Sequence, residues 1–306
     1  AQAGLRLDRL LAQARPAVSR GRVQALILDG RAHVDGASVA DPARRVKPGE
    51  TVTLVWPVAT PATPTPAESQ PLDVLFEDAE VIVVDKPPGL VVHPAPGHDG
   101  GTLVNALIAR CGGPWLGQGE DRRNGIVHRL DKDTSGLMVA AKTPAAAAAL
   151  TAQFAERTVA RSYLAVAWGR PDPPEATLSG AIGRSPRDRK KMAVLAEGGR
   201  PAVTRYGLRQ VLAGGAATLL ACHLSTGRTH QIRVHLAEAG HPLIGDPLYG
   251  GRPGRRRRRL DPAAAAAVAA FGRQALHAAT LGFRHPADGR WLAFTRPPPA
   301  DLADLI

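Results

Sequence analysis

Residues 57–71 contain too many prolines to belong to a helix or to the interior of a sheet. Prolines stand at Pro57, Pro61, Pro64, Pro66 and Pro71, among Ala and Thr residues and with no hydrophobic periodicity. Because proline fixes φ and removes a backbone donor, such a segment favours a semi-extended interdomain linker. The chain of 306 residues is therefore predicted to form a small domain, residues 1–56, and a larger one, residues 72–306.

The small domain is predicted to combine two helices with short strands. Apolar residues at helical spacing cover residues 5–15 and 19–29, the second segment beginning with the N-cap residue Ser19 and ending at Gly30. Strands are expected at residues 31–34 and 51–56, with a turn at Asp35-Gly36. This pattern predicts a compact α/β unit.

The larger domain reads as a succession of short apolar runs separated by turn residues. Strands are predicted at residues 81–84, 90–93, 125–127, 136–142, 162–168, 202–210 and 217–223, and helices at residues 103–110, 145–156, 230–238 and 263–270. Few helices stand between consecutive strands. The pattern therefore favours an α+β domain with a mixed, mostly antiparallel sheet over a doubly wound parallel sheet.

Charge and composition narrow the functional classes. A formal net charge of +12 and a pI of about 10.7 favour a nucleic acid as partner, although abundant arginine also fits a GC-rich genome. Cys111 and Cys222 have neither disulfide nor zinc spacing. The chain has no long apolar window, signal-peptide core, P-loop or dinucleotide fingerprint, so we expect a soluble, cytoplasmic monomer without a cofactor.

The polar loop between the strands predicted at 125–127 and 136–142 offers the clearest catalytic chemistry. Asp131 stands there between Arg129 and Lys132, whose charges favour an ionised carboxylate that can act as nucleophile or base. Two other interpretations remain open from the residues alone. One is a turn whose polar side chains bond to the local backbone, and the other is a metal site formed by His128, Asp131 and Asp133.

A second histidine group gives no support for a metal. His230, His235 and His241 are spaced five and six residues apart, so one helix face cannot present all three as ligands.

The segment HRLDKDTSGLMVAAKT, residues 128–143, closely resembles the signature of the RluA/RluD family of RNA pseudouridine synthases. The resemblance implies that Asp131 is the essential catalytic residue. It also implies that Arg129 enters the RNA helix and helps to replace the flipped uridine, and we place the neighbouring His128 among the RNA contacts. Asp131 is expected to attack the sugar or the uracil ring, or to remove a sugar proton; the sequence leaves these routes open.

Two further segments resemble motifs of the same family. RSYLAV, residues 161–166, contains the tyrosine that packs beside the target base, so Tyr163 is expected there, where it could also move a proton. Without the motif, Tyr163 would be read as a half-buried strand residue. TGRTHQIRVHL, residues 226–236, implies a salt bridge between Arg233 and the catalytic aspartate, and we add Arg228 of this motif to the RNA contacts.

Residues 5–50 resemble the small RNA-binding module first described in ribosomal protein S4. Residues 1–56 carry nine Lys or Arg and five Asp or Glu. Arg20 and Arg22, at the start of the second predicted helix, are expected to meet phosphates; a solvated helix face is the alternative that the positive charge and the catalytic motifs make less favoured. The arginine run at residues 255–259 and the basic segment 184–191 fit either mobile loops or sequence-independent phosphate contacts.

The resemblance extends from residue 72 to the end of the chain, and the segments HPAPG, GGRP and RQALHA are most similar to the RluD branch. It implies a pseudouridine synthase fold with a central cleft, and ribosomal RNA of the large subunit as the partner. A non-catalytic ribosome assembly factor and a metal-dependent nuclease are the rival hypotheses, and neither accounts for the three separated motifs together.

Overall fold

The structure is a computed structural model that describes residues 4–15, 20–56, 71–93, 100–111, 125–188, 190–251 and 258–306. Contacts between Cα atoms divide the chain into two compact units, residues 1–60 and 61–306. The predicted linker lies outside the described residues except for Pro71, so its conformation stays a prediction. No helix in the described ranges is long and apolar enough to cross a membrane.

The first unit packs two helices on a three-stranded antiparallel sheet. Its elements are α1 (Leu7–Ala14), α2 (Arg20–Leu28), β1 (Ala32–Val34), β2 (Ala37–Val39) and β3 (Val52–Leu54), with β1 in the centre of the sheet. Both predicted helices are confirmed, as is the turn at Asp35-Gly36, which joins β1 to the unpredicted strand β2. Leu7, Val23 and Ile27 are fully buried in the core of this unit, so the helical spacing also selects the core residues.

The second unit is built on one long mixed sheet. Its strands are β4 (Asp73–Glu77), β5 (Val81–Lys86), β6 (Ser135–Ala141), β7 (Ala160–Trp168), β8 (Glu175–Arg184), β9 (Met192–Leu195), β10 (Arg200–Leu212), β11 (Ala217–Leu224), β12 (Leu276–Arg284) and β13 (Trp291–Thr295). Among the described residues the order is β4-β5-β6-β12-β7-β11-β10-β8-β9, and β13 pairs with β12. Within the described ranges, only the β6–β12 pair of this sheet is parallel, which confirms the predicted α+β class.

Five helices accompany this sheet in the described part of the chain. They are α3 (Leu103–Cys111), α4 (Pro144–Glu156), α5 (Gln231–Glu238), α6 (Pro262–Ala270) and α7 (Ala300–Ala303). The first four were predicted within two residues of their observed ends. α4 begins with Thr143 as its N-cap, whose hydroxyl accepts a hydrogen bond from the backbone of Ala146.

Two predicted strands are wrong. Residues 90–93 form no ladder, because their carbonyl groups have other partners: that of Leu90 binds Lys86, and those of Val91 and Val92 accept from the first residues of α3. These bonds satisfy N–H groups that a helix start leaves free. Residues 125–127 make a single bridge, between Ile126 and β6. A short apolar run does not by itself distinguish such segments from strands.

β5 and β6 are buried on both faces and connect the loop that contains Asp131 to the core. Ile82 and Val84 on one face pack with Leu103 and Leu107 of α3, whereas Val81 and Val83 pack on the other face with α4. Both faces being covered explains why the sequence of these strands is continuously apolar rather than alternating. The loop that enters β6 therefore rises from a rigid support.

Candidate active site

Asp131 lies in a tight turn immediately before β6. The backbone N–H of Thr134 donates to the carbonyl oxygen of Asp131 at 3.1 Å. Behind the turn, Gly136 has a φ of +116°, and a Cβ atom there would overlap the carbonyl oxygen of Ala278 in β12. Glycine at this position thus lets β6 and β12 approach closely enough to pair.

Side chains from two distant segments fix the loop that contains Asp131. Two of these side chains bind the backbone of the loop: Lys86 at residue 132, at 2.9 Å, and Arg273 at residue 133, at 3.1 Å. The other two bind side chains of the loop: Gln274 that of residue 134, at 3.1 Å, and His277 that of residue 135, at 3.0 Å. A catalytic group supported in this way keeps its geometry before the substrate arrives.

Lys86 is the buried link between β5 and this loop. Its side chain has no exposed surface, and Nζ donates to the carbonyl oxygens of Pro87, Leu90 and Lys132 at 2.8, 3.0 and 2.9 Å. Burial lowers the pKa of Lys86 to about 7, although the nearby carboxylates of Asp133 and Asp131 oppose this shift. The three carbonyl groups match the three N–H donors of a charged ammonium.

Arg233 of α5 joins two carboxylates. Its Nη1 donates to Asp131 Oδ2 at 2.8 Å, and its Nε and Nη2 donate to the two oxygens of Asp246 at 2.7 and 2.9 Å. Arg233 is only 4% exposed. Burial opposes its charge, but the bonds to Asp246 and the charge of Asp131 raise the pKa of Arg233. The guanidinium is therefore a permanent cation directed at Asp131.

Asp246 is in turn fixed by the backbone that follows it. Its Oδ1 accepts from the N–H groups of Leu248 and Tyr249 at 2.9 and 3.0 Å. Burial would raise the pKa of Asp246, but the hydrogen bonds and charge of Arg233 lower it. Asp246 thus acts as the buried counter-ion that orients Arg233.

His230 approaches the same carboxylate from the residue before α5. Its Nε2 lies 4.0 Å from Asp131 Oδ2, and its Nδ1 is 2.8 Å from the hydroxyl of Tyr249. That hydroxyl also accepts from the backbone N–H of Met192 at 2.8 Å. Burial lowers the pKa of His230, although Asp131 raises it in part. Tyr249 thus orients the imidazole beside Asp131.

A cleft of about 670 Å³ opens above these groups, and Asp131, Tyr163 and Arg233 all line it. Tyr163 lies on β7, opposite Ala278 of β12, and is 6% exposed. Burial raises the pKa of Tyr163, so its phenol is neutral at physiological pH. The structure therefore brings together a carboxylate, a guanidinium and an aromatic ring in a space of the size typical of small-ligand sites.

His128 lies in the wall of the cleft, behind Asp131. Its Nε2 accepts the backbone N–H of Val139 at 3.0 Å, and its ring stacks on Phe154 at 4.8 Å between centroids. Burial, together with the charge of Arg161, lowers the pKa of His128 to about 3. The imidazole is thus neutral with one nitrogen occupied, which suits support of the wall better than binding of a phosphate.

Family comparison agrees with this geometry. The family described as RNA pseudouridylate synthase matches residues 80–238, a range that contains Asp131, Tyr163 and Arg233. This chain belongs to that family. The S4 domain matches residues 5–52 of the synthase, which accounts for the separate N-terminal unit.

Relatives of the synthase extend over nearly its whole length. Ribosomal large subunit pseudouridine synthase D of Zymomonas mobilis is 44% identical over 99% of this chain and 93% of its own. The protein of the same name from Xanthomonas campestris is 47% identical over 99% of this chain and 88% of its own. Human RNA pseudouridylate synthase domain containing 1 superposes with a TM-score of 0.58 at 28% identity, covering 76% of this chain and 85% of that one.

The other residues expected to contact RNA differ in exposure and in their contacts within the protein. In the synthase, Arg129 is exposed and Arg228 half-buried, and both line the cleft. Arg20 is half-exposed but is paired at 2.9 Å with Asp8, a buried carboxylate that also binds Arg6 and Gln24. The side chain of Arg22 lies outside the described residues. Contact of these residues with RNA stays a prediction.

The sequence left open a metal site in the loop that contains Asp131, but the positions of the side chains do not support it. In the described ranges no three His, Cys, Asp or Glu side chains converge as ligands, and His128 faces the backbone of Val139. The arginine run at 255–259 falls outside the described residues except for Arg258 and Arg259, so its two interpretations stay open.

Several groups of the site were not singled out from the sequence. The sequence assigned no functional role to Lys86, Asp246 or Tyr249, and His230 was considered only as a metal ligand and rejected. A buried lysine before Pro87-Pro88 and an aspartate before Pro247 look like turn residues in sequence. Their partners lie far away in the chain, and no local signal reveals them.

Proposed function

We propose that this synthase converts uridines of large-subunit ribosomal RNA to pseudouridine, with Asp131 as the catalytic carboxylate. The observation that carries the proposal is the 2.8 Å bond from Arg233 to Asp131 at a cleft that Tyr163 also lines. The substrate class rests on full-length relatives whose names specify the ribosomal large subunit. An S4 domain in the same chain supports binding to structured RNA.

The reaction breaks the bond between N1 of uracil and the sugar, turns the base, and forms a carbon–carbon bond in its place. Product and substrate are isomers, so no electrons enter or leave. Arg233 occupies Oδ2 of Asp131, and no described residue donates a hydrogen bond to Oδ1. That oxygen is the one available to the substrate. Fixing the carboxylate before binding lowers the reorganisation needed in the transition state.

A uridine within a helix cannot reach Asp131, so it must be flipped out of the stack at a cost of a few kcal/mol. Arg129 is exposed and lines the cleft, and its side chain would occupy the vacated position. Tyr163 then packs against the flipped base. Its buried phenol stays protonated and can donate to the base or pass on a proton.

The proposal is tested with Asp131→Asn, which keeps the shape of the side chain but removes its charge. We expect no pseudouridine formation on ribosomal RNA, with RNA affinity within about threefold of wild type. Sequencing-based pseudouridine mapping of RNA from a deletion strain, complemented with either protein, identifies the sites. Retained modification in the Asp131→Asn strain would contradict the catalytic assignment, and an unchanged map in the deletion strain would contradict the substrate.

A further inference from the structure

The cleft contains a second group of charged residues that the catalytic set does not use. Arg161 of β7, Arg200 at the start of β10 and Arg228 before α5 all line it. We call these three residues the arginine cluster. They come from separate segments of the second unit, so the fold rather than the sequence assembles them.

Two contacts fix the side chains of Arg228 and Arg161 in the arginine cluster. Nε of Arg228 donates to the carbonyl oxygen of Pro201 at 3.0 Å, which places its side chain against the residue that follows Arg200. The guanidinium of Arg161 lies over the ring of Phe154, with Cζ 5.1 Å from the centroid. Its Nη1 would be only 3.3 Å from a Cβ atom on Gly227, so the absence of a side chain there leaves room for Arg161 beside Arg228.

The positive charge of the arginine cluster is not compensated. In the part of the chain that the structure describes, no carboxylate lies within 4.0 Å of Arg161, Arg200 or Arg228, whereas Arg233 has two such partners. The Nε atom of Arg161 is buried and has no hydrogen-bond acceptor. Burial and the nearby charge of Arg200 lower the pKa of Arg228, and a buried donor without a partner also costs free energy, so this arrangement is suited to an anion.

The spacing along β7 indicates which anion. Arg161 and Tyr163 are two residues apart on one strand and so point to the same face, separated by about 7 Å along it. That is similar to the separation between a base and the phosphate of its own nucleotide. A base held at Tyr163 would therefore have a backbone phosphate near Arg161.

We propose that the arginine cluster binds a phosphodiester group of the RNA strand next to the flipped uridine. This inference rests on the proposed function, because the flipped base at Tyr163 fixes the position of the phosphate. Arginine suits the task, since its planar fork can bond two phosphate oxygens at once. The cluster would hold the strand in register while Asp131 acts on the sugar or base.

The test uses the full chain and a stem-loop RNA that contains one target uridine. Arg200→Gln and Arg228→Gln each remove one charge from the arginine cluster. The control is Arg209→Gln, which removes one charge from an exposed position of β10 outside the cleft. We expect the first two to weaken binding about three- to tenfold. They should also make the slope of log Kd against log salt shallower by about 0.7–0.9, with neither change for Arg209→Gln.

The phosphate is located by replacing single phosphates near the target uridine with neutral methylphosphonates. When the contacted phosphate is replaced, the affinity of wild type should fall by about as much as Arg200→Gln or Arg228→Gln lowers it. The same replacement should lower the affinity of these two variants only slightly. Gly227→Ala, which crowds Arg161, should likewise raise KM severalfold with an unchanged melting temperature.

Salt slopes equal to those of wild type and Arg209→Gln would overturn the proposal. The proposal would also be overturned if every methylphosphonate lowered the affinity of the variants as much as it lowers that of wild type. Pseudouridine formation by wild type is measured on the unmodified RNA in parallel. Its absence would count against the proposed function, whereas a normal rate with unaltered slopes in the variants would count against the arginine cluster alone.

Discussion

Asp246 binds Arg233 through two hydrogen bonds of 2.7 and 2.9 Å and leaves Nη1 of the guanidinium directed at Asp131. Two buried groups from different segments thus form one unit, in which the aspartate fixes the orientation and the arginine presents the charge. Asp131, at 18% exposure, is the partner of this unit that substrate can reach. Asp246 and Arg233 thus support the site from within the protein, whereas Asp131 faces the substrate.

Asp246→Asn should reduce kcat about 10- to 100-fold with little change in KM. The amide offers one acceptor where the carboxylate offers two, so Arg233 loses part of its support and its aim at Asp131. Breaking a buried ion pair also costs about 3–5 kcal/mol of stability. Single-turnover rates at saturating RNA, measured well below the melting temperature, check this. An unaltered kcat in the folded variant would mean that Asp246 has no role in positioning.

Tyr249→Phe should lower kcat about three- to tenfold while the protein stays folded. The change removes one hydroxyl, which contacts His230 at 2.8 Å and the N–H of Met192 at 2.8 Å, and leaves the ring beside Arg233. His230 then loses the partner that orients it next to Asp131. The rate is measured as a function of pH, and Tyr206→Phe, whose hydroxyl bonds to the carbonyl oxygen of Pro173, serves as the matched control. Equal rates for both variants would refute the role of Tyr249.

Lys86 should make folding stability depend on pH on the alkaline side of neutrality. Its pKa is 10.5 as a free group and about 7 in the folded protein, so between these values the unfolded chain binds more protons. Stability attributable to Lys86 therefore rises as the pH increases from about 7 towards 10.5. Melting temperatures of wild type and Lys86→Met across this range measure the effect, which should be absent in the variant.

Lys86→Met should also reduce activity, because three carbonyl groups lose their donor and the loop that contains Asp131 loses one of its supports. We expect a destabilisation of about 2–4 kcal/mol and a lower kcat at a temperature where the variant is folded. Lys190→Met, at an exposed position outside the cleft, is the control for loss of charge. Full activity in a folded Lys86→Met protein would show that the loop needs no such support.

Removal of residues 1–56 should weaken binding to structured ribosomal RNA more than it slows the chemical step. The S4 domain carries its own core and a positive balance of charge, whereas the groups around Asp131 belong to the second unit. We expect KM to rise at least tenfold and single-turnover kcat to change less than threefold. Equal kcat/KM for the truncated and complete proteins on ribosomal substrate would rule out recruitment by this domain.

Local patterns in the sequence were sufficient to predict six of the seven helices in the described part of the chain, the central strands β5, β6, β7, β10 and β11, and the loop that contains Asp131. They failed at residues 90–93, where an apolar run serves α3 and Lys86 instead of a sheet, and at β12, whose burial on both faces removes the alternation that indicates a strand. Helix and turn signals depend on residues that are close together in the chain, so they can be recognised from the sequence alone.

Only the tertiary structure decided which side chains support the chemistry. Lys86 meets the backbone of a residue 46 positions away, and Arg273 meets the backbone of Asp133 across 140 positions; the arginine cluster likewise unites three segments. Such pairs depend on sheet order and on the close approach of β6 and β12 at Gly136. Burial then determines their ionisation, since desolvation acts on a group only after the whole fold surrounds it.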